Sequence, residues 1–188
     1  FTPRVFSGIK PSGGLTLGNY LGAIKRWVGM QDQMQSIYCV VDLHAITMPS
    51  DRDKLRKNIR DMVASLLSCG VDPDRCVLFQ QSHVRQHAEL CWILGCYVTL
   101  PMLSRMGQYK EKSAKLKEVP LGLFTYPVLQ SADILLYKAT EVPVGEDNVQ
   151  NVQMAQNLVR LFNNAHGDVF PKPEIKLVED TLAARLKS

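Results

Sequence analysis

Short apolar runs alternate along this chain with longer stretches of helical periodicity. Val5-Phe6-Ser7 reads as a first strand, and residues 17–30 read as the helix that follows it. Ser36-Ile37-Tyr38-Cys39-Val40-Val41 is a continuous apolar run, the pattern of a strand buried on both faces. Between positions 51 and 69, Leu55, Ile59, Met62, Val63, Leu66 and Leu67 recur at helical spacing. Gly70 stops that helix, and Asp72-Pro73 makes the next turn. Cys76-Val77-Leu78-Phe79-Gln80 predicts a strand and residues 88–98 a helix, followed by a Lys-rich loop over 106–119. Residues 127–137 predict an apolar helix, Val142-Pro143-Val144 a short strand, and 148–163 a last helix. Strands alternating with helices place the chain in the α/β class, as a doubly wound parallel sheet with right-handed crossovers. In such sheets ligands bind beyond the carboxyl ends of the strands, near a topological switch point. No internal repeat interrupts the order.

A chain of 188 residues is one sizeable domain, and 46% hydrophobic with 21% charged residues describes an ordinary globular chain rather than a disordered one. The apolar runs are far shorter than a membrane span, so no membrane partner is expected. The 22 basic residues against 18 acidic ones leave a net charge of +4, which suits an RNA partner but is shared by many enzymes. Cys39, Cys69, Cys76, Cys91 and Cys96 are odd in number and contain no C-x-x-C pair. They read as small core residues of a reducing compartment, with no zinc site and no tightly bound metal. The chain begins at Phe1, so a preceding segment is expected, and no targeting peptide is legible.

Candidate chemistry begins at residues 8–23, where a glycine-dense turn leads from a strand into a helix. Glycine lets backbone approach a ligand where a Cβ would clash, and a helix start suits phosphate. The turn matches neither of the two common nucleotide loops. His44 follows the buried strand, where it can face a ligand or serve the structure. Asp133 lies in the apolar stretch 123–137. It is either a buried, hydrogen-bonded carboxylate or a surface residue on the polar side of its helix. Glu146-Asp147 ends a strand before a helix, a place for ribose binding, for helix capping, or for both. The basic cluster Tyr109-Lys110-Glu111-Lys112-Ser113 is a solvated face or a phosphate contact.

Taken together, these segments resemble the class I aminoacyl-tRNA synthetases, and within them the tryptophanyl-tRNA synthetases of bacteria and mitochondria. Thr16-Leu17-Gly18-Asn19 stands where the family carries its first signature. Pro11-Ser12-Gly13 before it and Tyr20-Leu21-Gly22-Ala23 behind it match as well. Asp42-Leu43-His44-Ala45, residues 123–137, Gly145-Glu146-Asp147 and Lys110-Glu111-Lys112-Ser113 match four further family segments. The resemblance implies a Rossmann-like catalytic domain over residues 1–188. It also implies activation of tryptophan by ATP with Mg²⁺ as its substrate partner, transfer to tRNA(Trp), and a homodimer. Thr16, Asn19 and Lys112 would be catalytic. Lys10, Pro11, Ser12, Gly18, Asn19, Gly145, Glu146 and Asp147 would bind ATP. Phe6, Val41, His44, Tyr126, Gln130, Asp133 and Asn148 would bind tryptophan, with Asp133 accepting the indole N–H and Tyr126 bonding the ammonium. Asp42, Glu141 and Glu146 read as structural or as supports of neighbouring site residues rather than as catalytic. Residues 91–96 and 97–103 would be dimer interface or core.

The chain departs from the family in four places. Lys10 and Asn148 each stand for a usual glutamine, and Gln130 stands for a methionine common in bacterial members. The second class I signature, Lys-Met-Ser-Lys-Ser, is absent, and the Lys187-Ser188 pair is not it. It is expected beyond position 188, followed by a helical anticodon-binding domain. The 129–133 and 42–44 segments look like animal mitochondrial members, implying the mitochondrial matrix, with a bacterial cytoplasm as the alternative. The rival readings are a tyrosyl-type synthetase and a silent nucleotide- or RNA-binding module.

Overall fold

Among the described residues five parallel strands carry the fold, in the spatial order 77–80, 35–40, 4–9, 141–144 and 174–177. The computed structural model describes residues 1–15, 20–114 and 116–177. β1 is Arg4–Ile9, followed by a π turn at Tyr20–Ile24 and α1 at Lys25–Met30. β2 is Gln35–Val40, α2 Asp42–Ala45 and α3 Arg52–Ser68. β3 is Val77–Gln80, α4 Gln86–Gly95, α5 Leu100–Ser104 and α6 Gly107–Ser113. α7 is Leu121–Leu136, β4 Glu141–Val144, α8 Val149–His166 and β5 Glu174–Leu177. This strand order is doubly wound, and the chain reverses direction across the sheet between β1 and β4.

The sheet separates two apolar layers, as period-2 alternation requires. Val5 and Ile9 of β1, with Tyr38 and Val40 of β2, face one side. There they meet Ile24, Trp27 of α1, and Met62 and Leu66 of α3. Phe6, Ile37, Cys39 and Val41 face the other side, against Leu94 of α4, Val128, Ala132 and Leu135 of α7, and Val152 and Leu158 of α8. Both faces of β2 are therefore covered, which is why its sequence is a continuous apolar run. Trp27 and Tyr38 stack at 4.3 Å, and the Tyr38 hydroxyl donates to the Trp27 carbonyl at 2.8 Å. Burial pushes the Tyr38 phenol up to about 12, against a smaller opposing hydrogen bond from Ser36. Asp51 caps α3 by accepting from the Lys54 amide at 2.8 Å.

Several elements differ from the sequence expectation. α7 starts at Leu121, so Pro127 lies inside the helix rather than at its head. Proline removes the amide that would bond the Leu123 carbonyl. Here Leu123, Tyr126, Pro127 and Val128 are all buried, and tertiary packing holds the turn. The Lys-rich segment contains α6, which docks through Tyr109 against Phe124 at 4.8 Å. β5 and the short α2 and α5 have no strong signal of their own. Cys39 and Cys76 are buried and Cys69 and Cys91 half-buried, but Cys96 is exposed rather than in the core. In residues 91–103, Leu94 and Leu103 are core, whereas Trp92 and Leu100 are 79% and 71% exposed.

Candidate active site

β1 and β4 share one register pair, Val5↔Glu141. Pro143, farther along β4, has no amide hydrogen to continue a ladder. A cavity of about 1120 Å³ opens at this switch point. Single-ligand pockets are about 300–1,000 Å³, so this one has room for more than one small molecule. Phe6, Ser7, Gly8, Ile9, Lys10 and Ser12 line it from β1 and the turn after it. A Cβ on Gly8 would stand 2.8 Å from Val41 Cγ1, so any larger residue there would force the Val41 side chain to shift. Gly13 in the same turn has φ +133°, a conformation L side chains rarely adopt.

α7 supplies the opposite wall. Tyr126, Gln130 and Asp133 lie at i, i+4 and i+7, so one helical face turns all three to the cavity. Asp133 is 1% exposed, which excludes the surface reading. Its Oδ1 accepts from Gln81 Nε2 at 2.7 Å and from His87 Nδ1 at 2.6 Å. Its Oδ2 lies 2.7 Å from His44 Nε2. Burial pushes the Asp133 carboxyl up, but His44 and His87 outweigh it and hold the group below the usual carboxylate range. The result is an ionised acceptor at the edge of a cavity that Phe6, Val41 and Ile134 make apolar.

β2 and β3 are tied together behind that carboxylate. Asp42 accepts from the Ser82 amide at 3.0 Å, from the Ser82 hydroxyl at 2.5 Å, and from Gln80 Nε2 at 2.7 Å. Asp42 is thus a brace that fixes the turn carrying His44. Gln81 extends the brace, because its Oε1 accepts the Leu43 amide at 3.0 Å.

The other end of the cavity is cationic. Lys10 and Lys112 both line it. Burial lowers the Lys10 ammonium from its ordinary value, and the nearby Lys112 charge lowers it further. Gln108 joins the walls: its Oε1 accepts from the Tyr126 hydroxyl at 2.6 Å and from Lys112 Nζ at 3.1 Å. Its Nε2 donates to the Asp147 carbonyl at 2.7 Å. Lys112 Nζ also lies 5.0 Å from the Tyr126 ring centroid. Asp147 does not cap a helix. It sits in a 3₁₀ turn, Glu146–Asn148, and its Oδ2 accepts from Asn148 Nδ2 at 3.1 Å. Asn148 Oδ1 in turn accepts from Asn151 Nδ2 at 3.1 Å.

The cavity therefore brings together Phe6, Lys10, Ser12, Val41, His44, Lys112, Tyr126, Gln130, Asp133, Gly145, Glu146, Asp147 and Asn148. Pro11 is buried in the same turn as Lys10 and Ser12 and does not line the cavity. Thr16, Gly18 and Asn19, and the Lys187-Ser188 pair, lie outside the described residues. Sequence reasoning missed Gln108, Gln81 and His87. Gln108 was findable as the i−4 neighbour of Lys112 once α6 is a helix. Gln81 and His87 carry no local signal, because their partner is far along the chain. Among the described residues no group of three His, Cys, Asp or Glu side chains could hold a metal ion. Nor is any helix among them long and apolar enough to cross a membrane. The arrangement suits a ligand with an N–H donor at the Asp133 end and an anionic group at the lysine end.

Comparison with known proteins bears on this geometry. The family described as tRNA synthetases class I (W and Y) matches residues 2–186. The tryptophanyl-tRNA synthetase of Campylobacter jejuni, solved in complex with ADP and tryptophan, is 41% identical with a TM-score of 0.90. The alignment covers 94% of this chain and 56% of that one. The tryptophanyl-tRNA synthetase of Mycoplasma pneumoniae is 34% identical with a TM-score of 0.90, covering 94% of this chain and 53% of that one. A tyrosyl-tRNA synthetase of Archaeoglobus fulgidus, complexed with L-tyrosine, shares the fold. It is 18% identical at a TM-score of 0.75, covering 94% and 55%. This chain spans about half the length of these relatives.

Proposed function

This chain belongs to the family of class I tRNA synthetases (W and Y), and from that premise we propose that it is the catalytic domain of a tryptophan–tRNA ligase. The protein activates tryptophan with ATP to tryptophanyl-adenylate and pyrophosphate, then passes the acyl group to tRNA(Trp). One observation carries the choice of amino acid: Asp133, an ionised carboxylate held entirely by donors, borders the apolar end of the cavity. A site built to bond an N–H rejects an analogue lacking it, because its own acceptor is left unpaired. Phenylalanine has no polar ring donor, and tyrosine carries its O–H outside the ring at the para carbon, away from the place of the indole N–H.

The substrate carboxylate attacks the α-phosphorus and pyrophosphate leaves, so no protein nucleophile is required. Catalysis then consists of holding the reactants in line and stabilising charge on the phosphates. Lys10 and Lys112 supply that charge from the cavity wall, with Mg²⁺ arriving as part of the ATP complex. Thr16, Gly18 and Asn19 take part by family resemblance. Gly145, Glu146 and Asp147 bind the nucleoside side of ATP, with Ser12 and Pro11 in the facing turn. Tyr126 and Asn148 bind the amino acid's ammonium. Phe6, Val41 and Gln130 flank the indole, with His44 beside Asp133 at its N–H end.

A homodimer is part of this reading, supported by the exposed Trp92 and Leu100 on consecutive helices. Mitochondrial matrix is the compartment we infer from the 129–133 and 42–44 segments. Charging of tRNA(Trp) with tryptophan by the full-length protein tests the reading. Charging with tyrosine instead would reverse the Asp133 assignment.

A further inference from the structure

A carboxylate has two oxygens and about four acceptor sites, so its selectivity depends on which site stays open. At Asp133, Oδ1 already receives two donors, Gln81 Nε2 at 2.7 Å and His87 Nδ1 at 2.6 Å. Among the described residues Oδ2 has a single protein partner, His44 Nε2 at 2.7 Å. The Gln81 amide cannot turn over, because its Oε1 accepts the Leu43 amide. The orientation of His87 is set from the far side. Its Nε2 lies 2.8 Å from the Tyr137 hydroxyl, and the Tyr137 ring stacks on Phe6 at 5.8 Å. An ionised carboxylate only accepts, so His87 Nδ1 carries hydrogen. In the neutral imidazole Nε2 is then the acceptor for the Tyr137 O–H. A directed chain results, Tyr137 O–H to His87, and His87 N–H to Asp133.

We propose that His87 is a positioning residue for substrate selection, which fills Oδ1 of Asp133 together with Gln81 and so reserves Oδ2 for the indole N–H of tryptophan. The proposal rests on the reading of Asp133 given above. His87 and Gln81 are fully buried and do not line the cavity, so they act only through Asp133. Without the Nδ1–H donor, the carboxylate can rotate or take up a proton. A protonated carboxyl would point a hydrogen at the indole N–H and oppose it.

The test compares kcat/KM for tryptophan with that for its benzothiophene isostere, in which sulfur replaces the N–H, using the full-length protein. In His87→Leu the preference for tryptophan should fall about 10- to 100-fold, the worth of a hydrogen bond to a charged group. The KM for ATP should not move. His87→Asn keeps an N–H donor at about the position of Nδ1 and should restore most of the preference, which a loss of general packing would not allow. Asp133→Ala separates the two levels. If it leaves the preference intact, the reading of Asp133 itself fails. If it abolishes the preference while a folded His87→Leu retains it, the His87 proposal fails alone. Should His87→Leu not fold, ¹⁵N NMR of the wild-type protein decides. A His87 ring carrying its proton on Nδ1 agrees with the proposal, and one with a bare Nδ1 overturns it.

Discussion

His44 and Asp133, 89 positions apart in the chain, meet at 2.7 Å beside the cavity. One stands in the short α2 after β2, the other in the last turn of α7. Their meeting fixes the distance between the two walls on which the proposed amino acid site depends. Replacement of Asp133 by alanine should cost about 2–3 kcal/mol in kcat/KM for tryptophan, the loss of a charge-assisted hydrogen bond. Steady-state kinetics with tryptophan and 1-methyltryptophan measure it. The methylated analogue should gain ground in the mutant, and unchanged discrimination would count against the role.

The same carboxylate sets a pH dependence of stability. Its folded-state value is held below its unfolded one by His44 and His87, although burial alone would raise it. Between the two values the unfolded chain binds more protons, so stability rises with pH there. The contribution is fully present above the unfolded value of about 4 and is lost as pH falls through the folded value. Urea unfolding at successive pH values below about 4 should show a shallower acid loss in Asp133→Asn than in the wild type. Parallel curves would mean that the histidine contacts do not shift this group.

Lys10 should titrate below the other exposed lysines, because the cavity wall partly desolvates its ammonium and the Lys112 charge then disfavours it further. In Lys112→Met its value should move up while exposed lysines stay fixed. Titration of ¹³C-dimethylated lysines by NMR reports both. A Lys10 resonance that ignores the Lys112 substitution would separate the two cations.

The five thiols should differ sharply in reactivity. Cys96 is exposed, whereas burial pushes the Cys39 thiol far up and the Cys91 thiol up to about 11. A soluble thiol reagent at neutral pH should label Cys96 first and Cys39 only on unfolding. Early labelling at Cys39 by mass spectrometry would contradict the packing of β2.

Leu66 and Leu67 are neighbours with opposite fates, 0% and 44% exposed. Leu66→Ala should cost about 2–5 kcal/mol of stability by leaving a cavity, and Leu67→Ala less than about 1. Denaturant midpoints of the two variants give the comparison, and equal losses would be inconsistent with the register of α3.

Much of this was legible in advance, and the parts that were not share a cause. β2 announced itself because both of its faces are covered, and α3 because one face is. β5 carries half-buried Ile175 and Lys176 at the sheet edge, and four residues are too few for periodicity to declare. Pro127 misplaced the head of α7, since local chemistry makes proline a helix start while packing around Tyr126 carries the helix through it. Of the two roles open to Asp147, helix capping is absent, because the residue lies within a 3₁₀ turn and its carboxylate accepts from the Asn148 side chain. Asp133 could be suspected as a charge in an apolar stretch. His87 and Gln81 could not, because the carboxylate that makes each one matter lies 46 and 52 residues away and meets it only in the folded chain.

Tryptophan-dependent exchange of pyrophosphate into ATP by the full-length protein tests the central claim most directly, with tyrosine and phenylalanine as controls. The account predicts exchange with tryptophan and none with the other two. Exchange driven by tyrosine, or no exchange from a protein shown to be folded, would contradict it.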